Sequence, residues 1–132
     1  LIEKHNLEVA HYQDIPLNID KNTYEKLEET GIVRCFIARQ DGKIIGYSIF
    51  TINQNIHYKT SKQALQNAIF IDPKKRGFGM KFIKWCDDEL RKDDVQVVYH
   101  CVTARHDFGS GLKRLGYELV DFVYGKRLDG GI

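Results

Sequence analysis

The stretch Ile69-Phe70-Ile71-Asp72-Pro73-Lys74-Lys75-Arg76-Gly77-Phe78-Gly79-Met80 leaves few options for the chain that contains it. Ile69, Phe70 and Ile71 read as a buried strand, and Asp72-Pro73 opens a turn. Met80, Ile83, Cys86 and Leu90 then recur at helical spacing. A strand that reaches a helix through a glycine turn aims backbone N–H groups outward at the positive end of the helix dipole. Glycine lets an anion approach that backbone closely. The spacing is Lys74-x-x-Gly77-x-Gly79, which is neither common phosphate loop. The chain contains no G-x-x-x-x-G-K-[ST], and no G-x-G-x-x-G follows a strand.

With 132 residues the chain has room for one domain and one sizeable core. Its net charge of +2 is close to balance, so charge alone gives no general affinity for nucleic acid. Basic residues gather locally, in Lys74-Lys75-Arg76 and Lys113-Arg114. Cys35, Cys86 and Cys101 are odd in number, widely spaced and without a C-x-x-C pair. Neither a zinc knuckle nor a disulfide framework is expected, and a reducing, cytoplasmic setting is the simplest reading. No apolar run reaches the length of a membrane span. The chain opens on Leu1 without a Met, and a strand is expected to precede it in the native protein.

Along the chain, Leu1 to about His11 reads as a short amphipathic helix broken by Pro16. Asp20 or Asn22 can cap a second helix through Tyr24 and Leu27 that ends before Gly31. Ile32–Ala38 and Lys43–Thr51 are strand-like and flank Asp41-Gly42, a hairpin signal. The run Ala64–Ile71 predicts a strand, Lys81–Lys92 a helix and Gln96–Val102 a buried strand. His106–Leu115 predicts a last helix, stopped at Leu115-Gly116-Tyr117 by a glycine followed by an apolar residue. Two closing strands are expected at Glu118–Val123 and Tyr124–Leu128, and Cys101 is expected to be buried.

The Asp-Gly hairpin, the strand ending Ile71-Asp72-Pro73 and Lys74-Lys75-Arg76-Gly77-Phe78-Gly79 before a helix resemble the GNAT superfamily of acyl-CoA-dependent N-acyltransferases. That family's signature at this junction is [Q/R]-x-x-G-x-[G/A], and Lys74 stands here in place of Gln or Arg. Ala104 and Leu112-Lys113-Arg114-Leu115-Gly116-Tyr117 resemble its second conserved block. The likeness spans roughly Val33 to Leu128, and it extends to small GNAT-like proteins of tailed bacteriophages. It implies a single α/β domain over residues 1–132, with a mixed, mostly antiparallel sheet, helices on both faces and a splay between two central strands. Many members carry a Tyr four residues before the glycine corresponding to Gly116, as the acid that protonates the leaving thiolate. Here that position is Leu112.

The resemblance implies acetyl-CoA as donor and an amine as acceptor, with no metal. Backbone groups from Arg76 to Met80, helped by Lys74, would hold the pyrophosphate across Gly77, Phe78 and Gly79. The main chain at Ile69, Phe70 and Ile71 would align the pantetheine arm. His100 is the first candidate base, ahead of His57 and His106, since imidazole titrates in the useful range. Tyr117, Tyr124 and Tyr99 are candidate acids, and transfer through water is an equal option. Gln66 and Asn67 could orient such a water. Other readings of the same residues are a CoA-binding interaction protein that has lost its chemistry and a toxin-like enzyme acting on charged tRNA. A homodimer through sheet edges is also compatible with the family, and the cytoplasm of an infected bacterium with the phage likeness.

Overall fold

In the computed structural model, residues 20–54, 59–104 and 106–130 are described, and of Gln54 and Arg76 only the backbone. The expected helix at Leu1–His11, and with it His57 and Tyr58, lies outside these residues. Helix α1 (Lys21–Glu29) is capped by Asp20, whose carboxylate accepts from the Thr23 amide at 3.0 Å and from the Thr23 hydroxyl at 2.7 Å. It ends in a Schellman motif. Gly31, at φ +80°, donates to the Glu28 carbonyl, and Ile32 donates to that of Leu27.

The chain then enters strand β1 (Val33–Gln40) and turns back into β2 (Lys43–Gln54). Asp41 and Gly42 both sit at positive φ, 52° and 78°, as a type I′ turn requires. β2 continues antiparallel into β3 (Lys62–Ile71). At its far end Gly46 lies so close to β3 that a Cβ there would come within 2.6 Å of the Phe70 carbonyl oxygen. A 3₁₀ turn at Pro73–Phe78 leads into α2 (Gly79–Lys92), and the chain returns as β4 (Val97–His100) before the short helix α3 (Gly109–Arg114). The sheet order is β1-β2-β3-β4, with antiparallel pairs except between β3 and β4, which run parallel.

Alternation along the strands decides what each face buries. Phe36, Phe50, Ile52, Ala64 and Ile71 pack with Phe82, Cys86 and Leu90 of α2 in the core. The Ser48 hydroxyl meets the Cys86 thiol there at 3.3 Å, and Arg34 pairs with Asp93 at the end of α2. Tyr47 and Cys35 point to the opposite face, toward α1. Burial raises both ionisations, and the neighbouring Tyr24 and Glu28 of α1 raise them further. Helices therefore cover both faces of a mixed, mostly antiparallel sheet, as expected.

The splay is present too. β3 and β4 pair from Gln63↔Val97 to Gln66↔His100, and pairing stops there while β3 runs on to Ile71. Several expectations fail. The strand expected to be buried over Gln96–Val102 is the shorter β4, with Val97 exposed and Val98, Tyr99 and His100 half-buried, because β4 is the last strand of the described sheet. The last helix starts at Gly109 and not at His106. Cys101 is exposed, because it lies past the last β4 pair, where the chain has already left the sheet. Residues 118–127 form no strand either. Their β-branched and aromatic side chains suit a strand, but a strand is stable only beside a partner edge. No helix among the described residues is long and apolar enough to cross a membrane.

Candidate active site

Asp72 builds the turn at the end of β3. Its amide donates to the Ile45 carbonyl at 2.6 Å, which holds the strand end against β2. Its carboxylate accepts from the Lys74 amide at 3.0 Å and its carbonyl accepts from the Lys75 amide at 2.7 Å. Those bonds wrap the chain around Pro73 and deliver it into α2. The N-cap of α2 is Phe78, which makes no side-chain capping bond, and the first turn contains no acidic residue. The positive end of this fourteen-residue helix is thus left without a side-chain acceptor or a carboxylate.

The two glycines of the turn are not demanded by the fold itself. Neither Gly77 nor Gly79 has a positive φ, and a Cβ at either would meet nothing within 4 Å. The space over them is open, and Lys74 beside them is exposed. A bare backbone, an open approach and a helix N-terminus coincide here, which suits a diphosphate. Met80, the first apolar residue of α2, packs against Gly111 of α3 and so ties the start of α2 to the second motif of the sequence.

A second feature lies where β3 and β4 part. β3 carries a bulge at Asn67, between the pairs Phe50↔Gln66 and Ile49↔Ala68, and Asn67 donates to the Thr51 hydroxyl. Bulges re-aim side chains beside functional sites. Gln66 is 5% exposed. With its amide nitrogen toward β4 it donates to the Cys101 carbonyl at 3.2 Å, while its oxygen accepts from the Ile69 amide at 2.9 Å. One side-chain amide thus bridges the notch between the diverging strands.

His100 and Tyr117 meet behind that notch, with ring centroids 5.1 Å apart. Phe50 at 5.7 Å and Phe108 at 6.3 Å complete an edge-on aromatic enclosure around the imidazole. Both His100 ring nitrogens are buried without a hydrogen-bond partner among the described residues. Burial pushes the His100 pKa down to about 4, so the ring is neutral at physiological pH and a weak base. The Tyr117 hydroxyl donates to Asp87 Oδ1 at 2.5 Å. Burial first, then that bond, holds Tyr117 well above the ordinary phenol range, and burial also raises the Asp87 carboxyl. The proton therefore stays on Tyr117 and is directed at α2.

The remaining candidates are dispersed. Tyr124 is 92% exposed on the segment after α3, and Tyr99 is half-buried on β4. His106 lies in the turn before α3, where its amide bonds to the Thr103 carbonyl at 3.1 Å. Leu112, at the position where a Tyr was expected from the resemblance, is buried. Among the described residues no cluster of His, Cys, Asp or Glu could hold a metal ion. Sequence reasoning passed over Asp87 and Phe108. The spacing Ile83-Asp87-Leu90 already placed a carboxylate on the buried face of α2, and a carboxylate there needs a donor.

Sheet order, splay and glycine turn together define the GNAT acetyltransferase fold, and the molecule adopts it. Solved structures share that fold. A predicted acetyltransferase from Clostridium acetobutylicum, solved with acetyl-CoA, superposes with a TM-score of 0.65 at 14% identity, covering 86% of this chain and 79% of that one. Glucosamine-6-phosphate N-acetyltransferase from Arabidopsis thaliana gives 0.70 at 13% identity, covering 96% and 92%. Ribosomal-protein-alanine N-acetyltransferase from Brucella melitensis biovar Abortus 2308 gives 0.69 at 17%, covering 97% and 88%. None of the three is described as a phage protein. No family model matches the sequence, and no curated protein does.

Proposed function

We propose that the protein is an N-acetyltransferase that takes its acetyl group from acetyl-CoA and gives it to an amine of a small molecule or a protein. One observation carries this reading most: the open space over Gly77 and Gly79 lies at an uncapped helix start and directly follows the strand end that splays from β4. Acetyl-CoA supplies an activated thioester carbonyl when bound. Backbone N–H groups from Arg76 to Met80 hold its diphosphate, with the Lys74 ammonium beside them. The main chain at Ile69, Phe70 and Ile71 aligns the pantetheine arm. With its oxygen turned toward Ile69, the Gln66 side chain accepts from that amide, so it gives way when the amide serves the ligand. A backbone N–H of the same strand faces the developing oxyanion.

For the protons, His100 is the acceptor and Tyr117 the donor in this reading, with Tyr124 as an alternative donor. His100 does this work only where the amine or a water reaches its buried ring nitrogens. Tyr117 gives up its proton only after its bond to Asp87 opens.

A second reading is favoured by those same two constraints and by Leu112. A weak base, a donor tied to α2 and a leucine in the usual acid position describe a CoA-binding protein without turnover equally well. Melting curves with acetyl-CoA test what both readings share. At a hundredfold excess over Kd the ligand adds about 2.7 kcal/mol of stability. No rise in Tm at millimolar acetyl-CoA rejects both readings. Free thiol released from acetyl-CoA in the presence of an amine panel then separates the enzyme from the binder.

A further inference from the structure

The notch where β3 and β4 part is already occupied. Pairing between the strands ends at Gln66↔His100. Just past it, with its amide nitrogen toward β4, the Gln66 side chain donates to the Cys101 carbonyl at 3.2 Å and accepts from the Ile69 amide at 2.9 Å. Gln66 is 5% exposed, so it satisfies both main-chain groups in a place nearly closed to water.

That pair of main-chain groups limits what can replace Gln66. One strand offers an N–H and the other a C=O, so the replacement must accept on one side and donate on the other. A trans secondary amide has that shape, because its C=O and N–H point in opposite directions. A phosphate, an ester or a thioester carries no N–H for the Cys101 carbonyl. An alkyl chain leaves both strand groups buried and unpaired, which costs more than the bonds themselves are worth.

On the reading that the turn at Gly77 and Gly79 holds the diphosphate of a CoA, we infer that Gln66 is the residue that sets donor specificity. Its side-chain amide stands in the notch for an amide of the ligand's arm, and only an arm that carries a secondary amide displaces it. Pantetheine carries such amides. A diphosphate compound without the arm, such as ADP, binds at the glycine turn and leaves Gln66 in place. The exchange has room to occur. The bulge at Asn67 interrupts the regular ladder directly after Gln66. His100, the β4 partner of Gln66, has ring nitrogens without a partner among the described residues, so the displaced amide finds an acceptor on the neighbouring strand. Asn67 offers no second such amide, since it is exposed and donates to the Thr51 hydroxyl.

NMR titration of the isotope-labelled full chain tests this. ADP is expected to shift the backbone amides from Arg76 to Met80 and to leave the side-chain amide signals of Gln66 where they were. Acetyl-CoA is expected to shift both sets. Gln66→Met, which keeps the volume and removes the competing amide, is expected to bind acetyl-CoA about tenfold more tightly, the worth of two hydrogen bonds. Its affinity for ADP is expected to stay the same. Acetyl-CoA bound with the Gln66 signals unmoved overturns the inference and leaves the proposed function standing, and that measurement needs no variant. ADP that displaces Gln66 as acetyl-CoA does overturns it as well, because the arm's amide is then not what is read. Equal or weaker binding of acetyl-CoA by Gln66→Met overturns it too. A wild type that responds to neither ligand rejects the proposed function, and the inference with it.

Discussion

At the scale of single residues, the site is marked by side chains that the fold does not need. Gly46 is required by its neighbours, since a Cβ there would run into the backbone of β3. Gly79 is required by nothing the chain itself supplies. Gly79→Ala should therefore leave the melting temperature of the free protein unchanged or slightly raised, because alanine is the better helix former by up to about 1 kcal/mol. The same change should reduce the acetyl-CoA-induced rise in Tm, since the methyl group stands where the diphosphate approaches. A loss of free-protein stability with the ligand shift intact would assign Gly79 to the fold instead.

His100 makes a second prediction at this scale. Its pKa falls from 6.5 in the unfolded chain to about 4 in the folded one. Between those values the unfolded chain binds more protons, so stability is full above pH 6.5 and declines as pH falls toward 4. The full loss is on the order of 3 kcal/mol. Urea titrations across this window should show the slope in the wild type and a flatter profile in His100→Phe, which keeps the aromatic enclosure filled.

Elements were legible where their signals are local. Asp20 caps α1, Asp41-Gly42 turns the hairpin, and Gly31 and Gly116 end their helices at the positions the sequence marks. Each needs only a few consecutive residues to act. α2 ends in the same motif without a glycine, which the sequence did not announce. Asp94 stands at φ +64° and donates to the Arg91 carbonyl, and Val95 donates to that of Leu90. Aspartate tolerates this left-handed conformation, and a β-branched residue does not. Asp94→Val should destabilise the protein by about 1–2 kcal/mol, read as a lower urea midpoint at constant slope, while Asp94→Gly should not. What the sequence hid depends on distant partners. The Tyr117–Asp87 bond joins residues thirty apart. Cys101 is exposed because β4 stops one residue before it, and the run after Glu118 has strand composition without a strand beside it. Propensity reports what a segment suits, and only the assembled sheet decides what it meets.

At the scale of the whole molecule, the sheet is unevenly held. β1, β2 and β3 form a long antiparallel meander, whereas β4 joins it through the four pairs from Gln63↔Val97 to Gln66↔His100. Parallel pairs are slightly weaker per residue, and local opening begins where pairing is shortest. The proposed donor site spans this weak seam, because the glycine turn belongs to β3 and α2 while His100 belongs to β4. Ligand that binds only the closed form holds the seam shut by mass action. Amides of β4 should therefore exchange faster than those of β2 in the free protein, and should slow by at least tenfold at saturating acetyl-CoA. Gly79→Ala should remove that protection at the same ligand concentration while leaving the free-protein rates unchanged. Protection confined to α2, with β4 unaffected, would show that the diphosphate is held but the pantetheine arm does not enter the splay. The cradle would then be a nucleotide site without access to His100, and the transferase reading would fail on that measurement even though binding itself had been found.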